Sequence, residues 1–286
     1  MAINYASRHA AEVDERFTAA SITEAIVNKD YDFTGVKTVV VHSVPAAEMN
    51  DYKREGSNRY GSPAELEDSV QELTMSQDKS FTFTVDKGNS ADDPALNAGK
   101  ALQRQLDEVI VPMVDKYRLQ VMAENAGHKQ YGAITKENAY EAFLDLNIAI
   151  SGSKVPLKGR AAIVSGAYYK LLKLDSSFVK NSDLAQNMLI NGQMGMVDGV
   201  PIVLDTGVLP EGAELMIAHP CATTAPHKLS EYKVHEDPPG ISGALVEGRD
   251  YFDAFVLEQK KNAIGVRYST EAAAAAALNE EENEGA

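Results

Sequence analysis

The sequence predicts an α+β chain in which a long β-ribbon precedes a long helix and a small α/β unit interrupts the part that closes the fold. Three observations lead there. From Val70 onward, odd positions carry Leu73, Met75, Phe81, Phe83 and Val85 while even positions carry Thr74, Ser76, Thr82 and Thr84, the period of two that marks a strand. Apolar residues at Leu102, Leu106, Val109, Met113 and Tyr117 recur every three or four positions, as they do along one face of a helix. The pair Asp198-Gly199, set between residues 194–197 and 200–204, supplies the tight turn of a hairpin.

In chain order, residues 1–36 read as an arm with one modest amphipathic segment, Val13, Phe17, Ile22, Ala25 and Ile26. Residues 37–92 hold the ribbon. Its incoming side opens with the β-branched run Thr38, Val39, Val40, Val41 and weakens at Pro45, which suits an edge or a bend. A polar tip, residues 54–69, contains Glu55, Gly56, Arg59, Gly61 and Pro63. At about 3.3 Å per residue, the outgoing side over residues 70–86 would extend roughly 55 Å if unbroken, more than a domain of this size covers with its own core. A neighbouring copy is the expected cover. The candidate inter-subunit contacts are Lys53, Arg54, Glu55, Arg59 and Tyr60 in the tip, Phe81 and Phe83 on the stripe, and Phe17 in the arm.

After polar punctuation at residues 90–93, Pro94 suits the first position of a helix, where a missing amide hydrogen costs nothing. Gly127 ends the pattern, and Pro112 calls for a kink or for two helices end to end. A second helix is expected over residues 136–146, with Tyr140, Phe143 and Leu144 on its apolar face, and a subdomain boundary over residues 148–159, rich in Gly, Ser and Pro. Residues 160–225 read as the inserted α/β unit: a strand at 160–164, a helix at 167–174, the hairpin, and a strand at 215–219. Strands around residues 232–234, 251–257 and 263–268 return beside the long helix and close a discontinuous domain of residues 93–159 and 226–270. Six alanines, 272–277, and an acidic end follow, a tail over residues 271–286 expected to be disordered.

The chain has 286 residues and a formal charge of −15, which argues against a nucleic-acid binder, since neutralising phosphates needs clustered Lys and Arg. A single cysteine, Cys221, rules out a disulfide framework, and no apolar run marks a signal peptide or membrane anchor. Chemistry-bearing patterns are missing as well. His219, Cys221, His227 and His235 lie close in sequence but match no paired-ligand spacing for zinc. Ser151-Gly152-Ser153 and Ser165-Gly166 lack the nucleophile elbow, and the glycine-rich stretch 191–199 lacks the Lys-Ser or Lys-Thr of a phosphate loop. No catalytic constellation emerges, and no cofactor or metal is expected.

The order arm, ribbon, long helix, α/β unit and returning strands resembles major capsid proteins of tailed bacteriophages, of the HK97 type. So do the stretches at residues 13–17, 37–41, 58–61 (Asn-Arg-Tyr-Gly), 70–73, 79–86 (Lys-Ser-Phe-Thr-Phe-Thr-Val-Asp) and 105–109, which are similar to those of siphophages of Gram-positive bacteria. The resemblance covers about residues 3–269. It implies an N-terminal arm (1–36), an extended loop (37–92) lying over an adjacent subunit, a peripheral domain with a spine helix (93–159 and 226–270) and an axial domain (160–225). It further implies hexamers and pentamers of an icosahedral virion shell, built in the host cytoplasm around double-stranded DNA that is enclosed without specific binding. Its partners would be itself, a separate scaffolding protein, a portal protein and a decoration protein, with no membrane. Some relatives cross-link Lys to Asn; Lys53, Lys79 and Asn262 are available here, but no local pattern selects them. Two other readings stand beside this one: an encapsulin-like nanocompartment shell, and a cytosolic enzyme with a hairpin lid.

Overall fold

Both periodicities persist in the computed structural model, which describes residues 21–28, 37–43, 49–56, 58–61, 65, 69–88, 98–175 and 193–269. After a 3₁₀ turn, Glu24–Ile26, come β1 (Thr38–Ser43), β2 (Ser69–Thr74) and β3 (Gln77–Asp86). Next are α1 (Ala98–Gln105) and α2 (Val111–Glu124), joined by a π-helical turn, Leu106–Ile110. The middle holds β4 (His128–Tyr131), α3 (Ala139–Gly152), β5 (Ala161–Val164), α4 (Gly166–Leu174), β6 (Gln193–Val197), β7 (Val200–Leu204) and β8 (Ala213–Ala218). The last part holds β9 (Thr223–Thr224), β10 (His227–Glu236), β11 (Gly243–Phe252), β12 (Phe255–Val256) and β13 (Ile264–Tyr268). Phe17, the helix start at Pro94 and the tail 271–286 lie outside the described residues.

The ribbon is a hairpin only in its first half. β1 and β2 pair antiparallel, Thr38 opposite Thr74 and Ser43 opposite Ser69. At Met75 and Ser76 the chain leaves strand geometry, and β3 pairs instead with β11, Gln77 opposite Phe252 and Asp86 opposite Gly243. With β10 on the far side of β11, this makes a three-stranded sheet in the order β10-β11-β3. Its inner face, with Phe81, Phe83, Tyr232, Val246 and Phe252, packs on Leu102, Leu106, Ile110, Val111 and Val114 of the long helix. This corrects the sequence reading of one continuous ribbon covered by a second copy: over residues 77–86 the cover is the chain's own helix. Alternation establishes that one face is buried and carries no information on what buries it, and the ten-residue strand β11 went unread as such.

The long helix absorbs Pro112 by changing its winding. Val111 donates its N–H to Leu106 O, five residues back, so the turn widens just before the residue that has no N–H to give. Pro112 then sits in the first turn of α2, where no partner is required.

The second sheet has six strands in the order β4-β13-β8-β5-β7-β6. β4–β13 and β5–β7 are parallel and the other pairs antiparallel. Alternate residues divide between two covers. Ala161, Ile163, Met216, Ala218, Ile264 and Val266 face Leu119, Met122 and Ala123 of α2, together with Ile26. Ala162, Val164, Leu215 and Ile217 face Phe143, Leu146 and Ile150 of α3 and Tyr168 and Leu172 of α4. Gly265 is required there, since a Cβ would come within 2.7 Å of Leu146 Cδ1. Asp198 and Gly199 both take positive φ, 53° and 78°, the two-residue turn the sequence called for. Residues 160–225 are thus not a sheet to themselves, because β13 lies between β4 and β8. α3 also runs past residue 146 to Gly152, which moves the expected break to the loop 153–159.

That loop is closed by Arg160, 1% exposed. Its guanidinium donates to Val155 O, Pro156 O, Asn147 O and Ser151 Oγ at 2.6 to 3.0 Å. The cation therefore meets carbonyls at the C-terminal end of α3, where positive charge is favoured.

Candidate assembly surface

The root of the hairpin stands on the chain's own body. Val39, Val41, Leu73 and Met75 point to one face and pack with Tyr251, Phe255 and Leu257. Gln71 reinforces this from its amide, donating to Val256 O at 2.9 Å and accepting from Glu258 N at 3.0 Å. The other face is open. Thr38 and Thr74 share a 2.8 Å hydroxyl contact across it, while Val40 and Val70 are 46% and 55% exposed. Their register, Val40 opposite Glu72 and His42 opposite Val70, makes the two valines diagonal neighbours.

The tip is organised by bonds to itself. Lys53 N donates to Arg59 O at 2.9 Å, Gly61 N to Asn58 O at 3.1 Å, and Arg59 Nε to Gly56 O at 3.1 Å. Asn58 takes φ 62° and Gly61 φ 90°, and a Cβ on Gly61 would meet the Asn50 side chain at 2.9 Å. Tyr52 and Tyr60 meet edge to face with centroids 5.1 Å apart. The loop is therefore shaped, yet its apolar side chains face solvent: Met49 is 97% and Tyr60 83% exposed.

Of the sequence-derived contact residues, Lys53, Arg54, Glu55, Arg59 and Tyr60 come together on this tip and are exposed. Phe81 and Phe83 sit half-buried on β3, stacked 6.1 Å apart. Phe17 lies outside the described residues. Sequence reasoning overlooked Met49, Tyr52, Val40 and Val70. A signal existed in Val39-Val40-Val41, which is apolar on both faces of a strand rather than one.

The arm's end is pinned to the long helix. Asp115, 3% exposed, accepts from Ser21 Oγ at 2.6 Å, Thr23 Oγ1 at 2.6 Å and Ile22 N at 2.9 Å. Arg118 Nη1 donates to Thr23 Oγ1 at 2.9 Å and lies 3.8 Å from Glu24. A parallel bridge from Asn28 to Thr224 follows, so the segment is tied at both ends before the chain goes on to β1.

The histidines near Cys221 are engaged separately. His219 Nδ1 accepts from Cys221 N at 3.1 Å, and His227 lies 3.1 Å from Asp250, which also accepts from Ser230 and Tyr232. Burial pushes the Cys221 thiol pKa up. Among the described residues no group of three or more His, Cys, Asp or Glu is placed to hold a metal ion, and no helix is long and apolar enough to cross a membrane. Lys53, Lys79 and Asn262 are all exposed.

No protein-family model matches the chain, and no curated protein does. Solved structures do. One from Mycobacterium phage Che8 superposes with TM-score 0.69 at 19% identity, covering 86% of this chain and 90% of that one. The capsid structure of cyanophage P-SCSP1u gives 0.67 at 11% identity, over 87% and 88%. The chain has the HK97-like capsid fold. The same fold extends to a virus-like particle from Pyrococcus furiosus, TM-score 0.56 at 12% identity, covering 93% of this chain and all of that one, 100%. The likeness thus spans most of the length of both chains in each case.

Proposed function

We propose that this chain is the major structural subunit of a tailed-phage capsid, assembling with copies of itself into pentamers and hexamers of an icosahedral shell around double-stranded DNA. The observation that carries the reading is the ribbon tip. Its described residues 49–56 and 58–61 are bonded to one another and present Met49, Tyr52 and Tyr60 to solvent. An apolar projection of this kind is the mark of a surface that another molecule covers, and the likeness to capsid structures supports a further copy as that molecule. The acidic balance of the chain, −15, suits a wall that encloses DNA without gripping it.

The role is structural: the subunit contributes area and shape rather than a reaction. Each copy offers several modest contacts, and closure of a shell makes them strong together. Electron microscopy of the purified protein tests this directly. Uniform closed shells or rings are expected; a monodisperse monomer at high concentration overturns the reading. The likeness to the virus-like particle from Pyrococcus furiosus keeps one second reading beside it, an encapsulin-like nanocompartment shell. Nuclease-protected genome-length DNA inside particles taken from infected cells distinguishes the genome container from it.

A further inference from the structure

The ribbon leaves the body at one point, and a single buried carboxylate holds that point. Between β2 and β3, Ser76 donates both its N–H (2.6 Å) and its Oγ–H (3.0 Å) to Asp253 Oδ2. Asp253 Oδ1 accepts from Tyr117 OH on α2 and from Ala254 N, both at 2.8 Å. Asp253 is 3% exposed. One side chain thus ties the break in the strand to the long helix. Next to it, Tyr251 OH donates to Met75 O at 3.2 Å, so the two residues out of strand geometry are both held from the same segment.

We propose that Asp253 is a positioning residue that sets the direction in which the hairpin leaves the body, with Ser76 and Tyr117 as the two sides of its lock. The remaining contacts of the hairpin root, Leu73 and Met75 on Leu257, the Gln71 amide on residues 256–258 and Tyr251 OH on Met75 O, tie it to the segment 251–258. Asp253 adds the tie from that segment to α2 through Tyr117, with charge-assisted bonds from four donors that occupy its acceptor directions. Without them the hairpin keeps its internal pairing and loses its fixed angle. The consequence for assembly rests on the shell reading above: subunits whose ribbons leave at varied angles build particles of varied curvature.

Hydrogen exchange on the dissociated subunit tests the lock without reference to assembly. In Asp253→Asn, amides of residues 70–77 are expected to exchange about tenfold faster or more, the scale of one charge-assisted hydrogen bond, while β13 and β8 keep their protection. Ser76→Ala changes an exposed side chain, removing the hydroxyl bond to Asp253 and the exposed contact from Gln77 Nε2 while leaving the backbone bond, so it keeps the test open should Asp253→Asn fail to fold; Ser76→Thr is expected to restore protection. Exchange unchanged at residues 70–77 in Ser76→Ala, or raised equally across both sheets, overturns the proposal. Electron microscopy of Ser76→Ala particles adds the second arm, with a broader diameter distribution expected and the wild-type distribution counting against the link to curvature. If the wild-type protein itself forms no particles, the shell reading falls while the exchange result still decides the lock.

Discussion

Phe81 and Gly248 stand opposite one another across the β3–β11 pair, and the Phe81 ring occupies the space that a side chain at 248 would need. A Cβ there would also come within 2.8 Å of Tyr232 Cδ1, whose ring stacks on Phe81 with centroids 6.1 Å apart. Glycine inside a strand is normally a weakness; here it admits two aromatic rings to the face that packs on the long helix. Gly248→Ala should therefore lose about 1–3 kcal/mol, the usual cost of overpacking, read from urea denaturation. The loss should shrink in a Phe81→Ala background. Equal penalties in both backgrounds would mean that the ring is not the cause.

Thr23 is the pivot of the arm's attachment, fully buried and both donor to Asp115 and acceptor from Arg118. Thr23→Val keeps the shape and leaves those two charged groups each one partner short, so about 1–3 kcal/mol of stability should go. Thr23→Ser keeps the hydroxyl and should recover most of it. Limited proteolysis should cut the N-terminal segment of Thr23→Val sooner than that of Thr23→Ser. Equal cutting rates would show that the Asp115–Arg118 pair does not hold the arm.

These two sites mark the limits of what the sequence disclosed. The hairpin turn at Asp198-Gly199, the helix from Leu102 to Tyr117 and the strand at residues 160–164 were legible because each rests on local chemistry: a positive-φ pair, a 3.6-residue period, a short apolar run. Pairing partners were not. Phe81 and Phe83 alternate as well beside β11 as they would beside a second molecule, and choosing between those covers requires the register of a strand pairing across more than 150 positions, which no local signal encodes. The strand Gly243–Phe252 was obscured by its own glycines, one of which, Gly248, is there for the ring it accommodates. The ribbon tip was legible as an exposed loop through its glycines and charges. Its apolar content was passed over because isolated surface aromatics are unremarkable until geometry brings them together.

Three tyrosines should resist ionisation. Burial raises the pKa of Tyr117, with the Asp253 carboxylate adding to it, and raises that of Tyr168, whose hydroxyl donates to Ala139 O at 2.8 Å. Tyr268 is pushed up to about 12 by burial, with help from Tyr131 and Glu124. A phenol whose folded pKa lies above its unfolded value of about 10 costs the folded state nothing below that value. Above it the unfolded chain loses the proton that the folded chain keeps, so stability falls as pH rises from about 10 toward 12. Ultraviolet titration should show a group of phenols that ionise only with alkaline unfolding, and Tyr117→Phe should remove one of them. Full ionisation near pH 10 with the fold intact would contradict the burial seen for these rings.

The tip offers the sharpest separation of folding from assembly. Tyr60 is 83% exposed and, among the described residues, its ring meets Tyr52 of the same loop, so Tyr60→Ala should change subunit stability by no more than about 0.5 kcal/mol, as for ordinary surface substitutions. An aromatic side chain at the centre of an interface commonly contributes about 2 kcal/mol or more, roughly a thirtyfold weakening of one contact, and a closed shell repeats that contact in every copy. Particle yield should then collapse while the melting temperature stays put, with the Tyr52→Ala, Tyr60→Ala double variant more severe and Tyr60→Phe close to wild type. Phe83→Asp cannot make this separation, because Phe83 is packed against the chain's own helix-backed sheet and its loss damages fold and assembly together. Normal particles from the double tyrosine variant, counted by electron microscopy at equal protein concentration, would remove the tip from the list of surfaces that join one copy to the next.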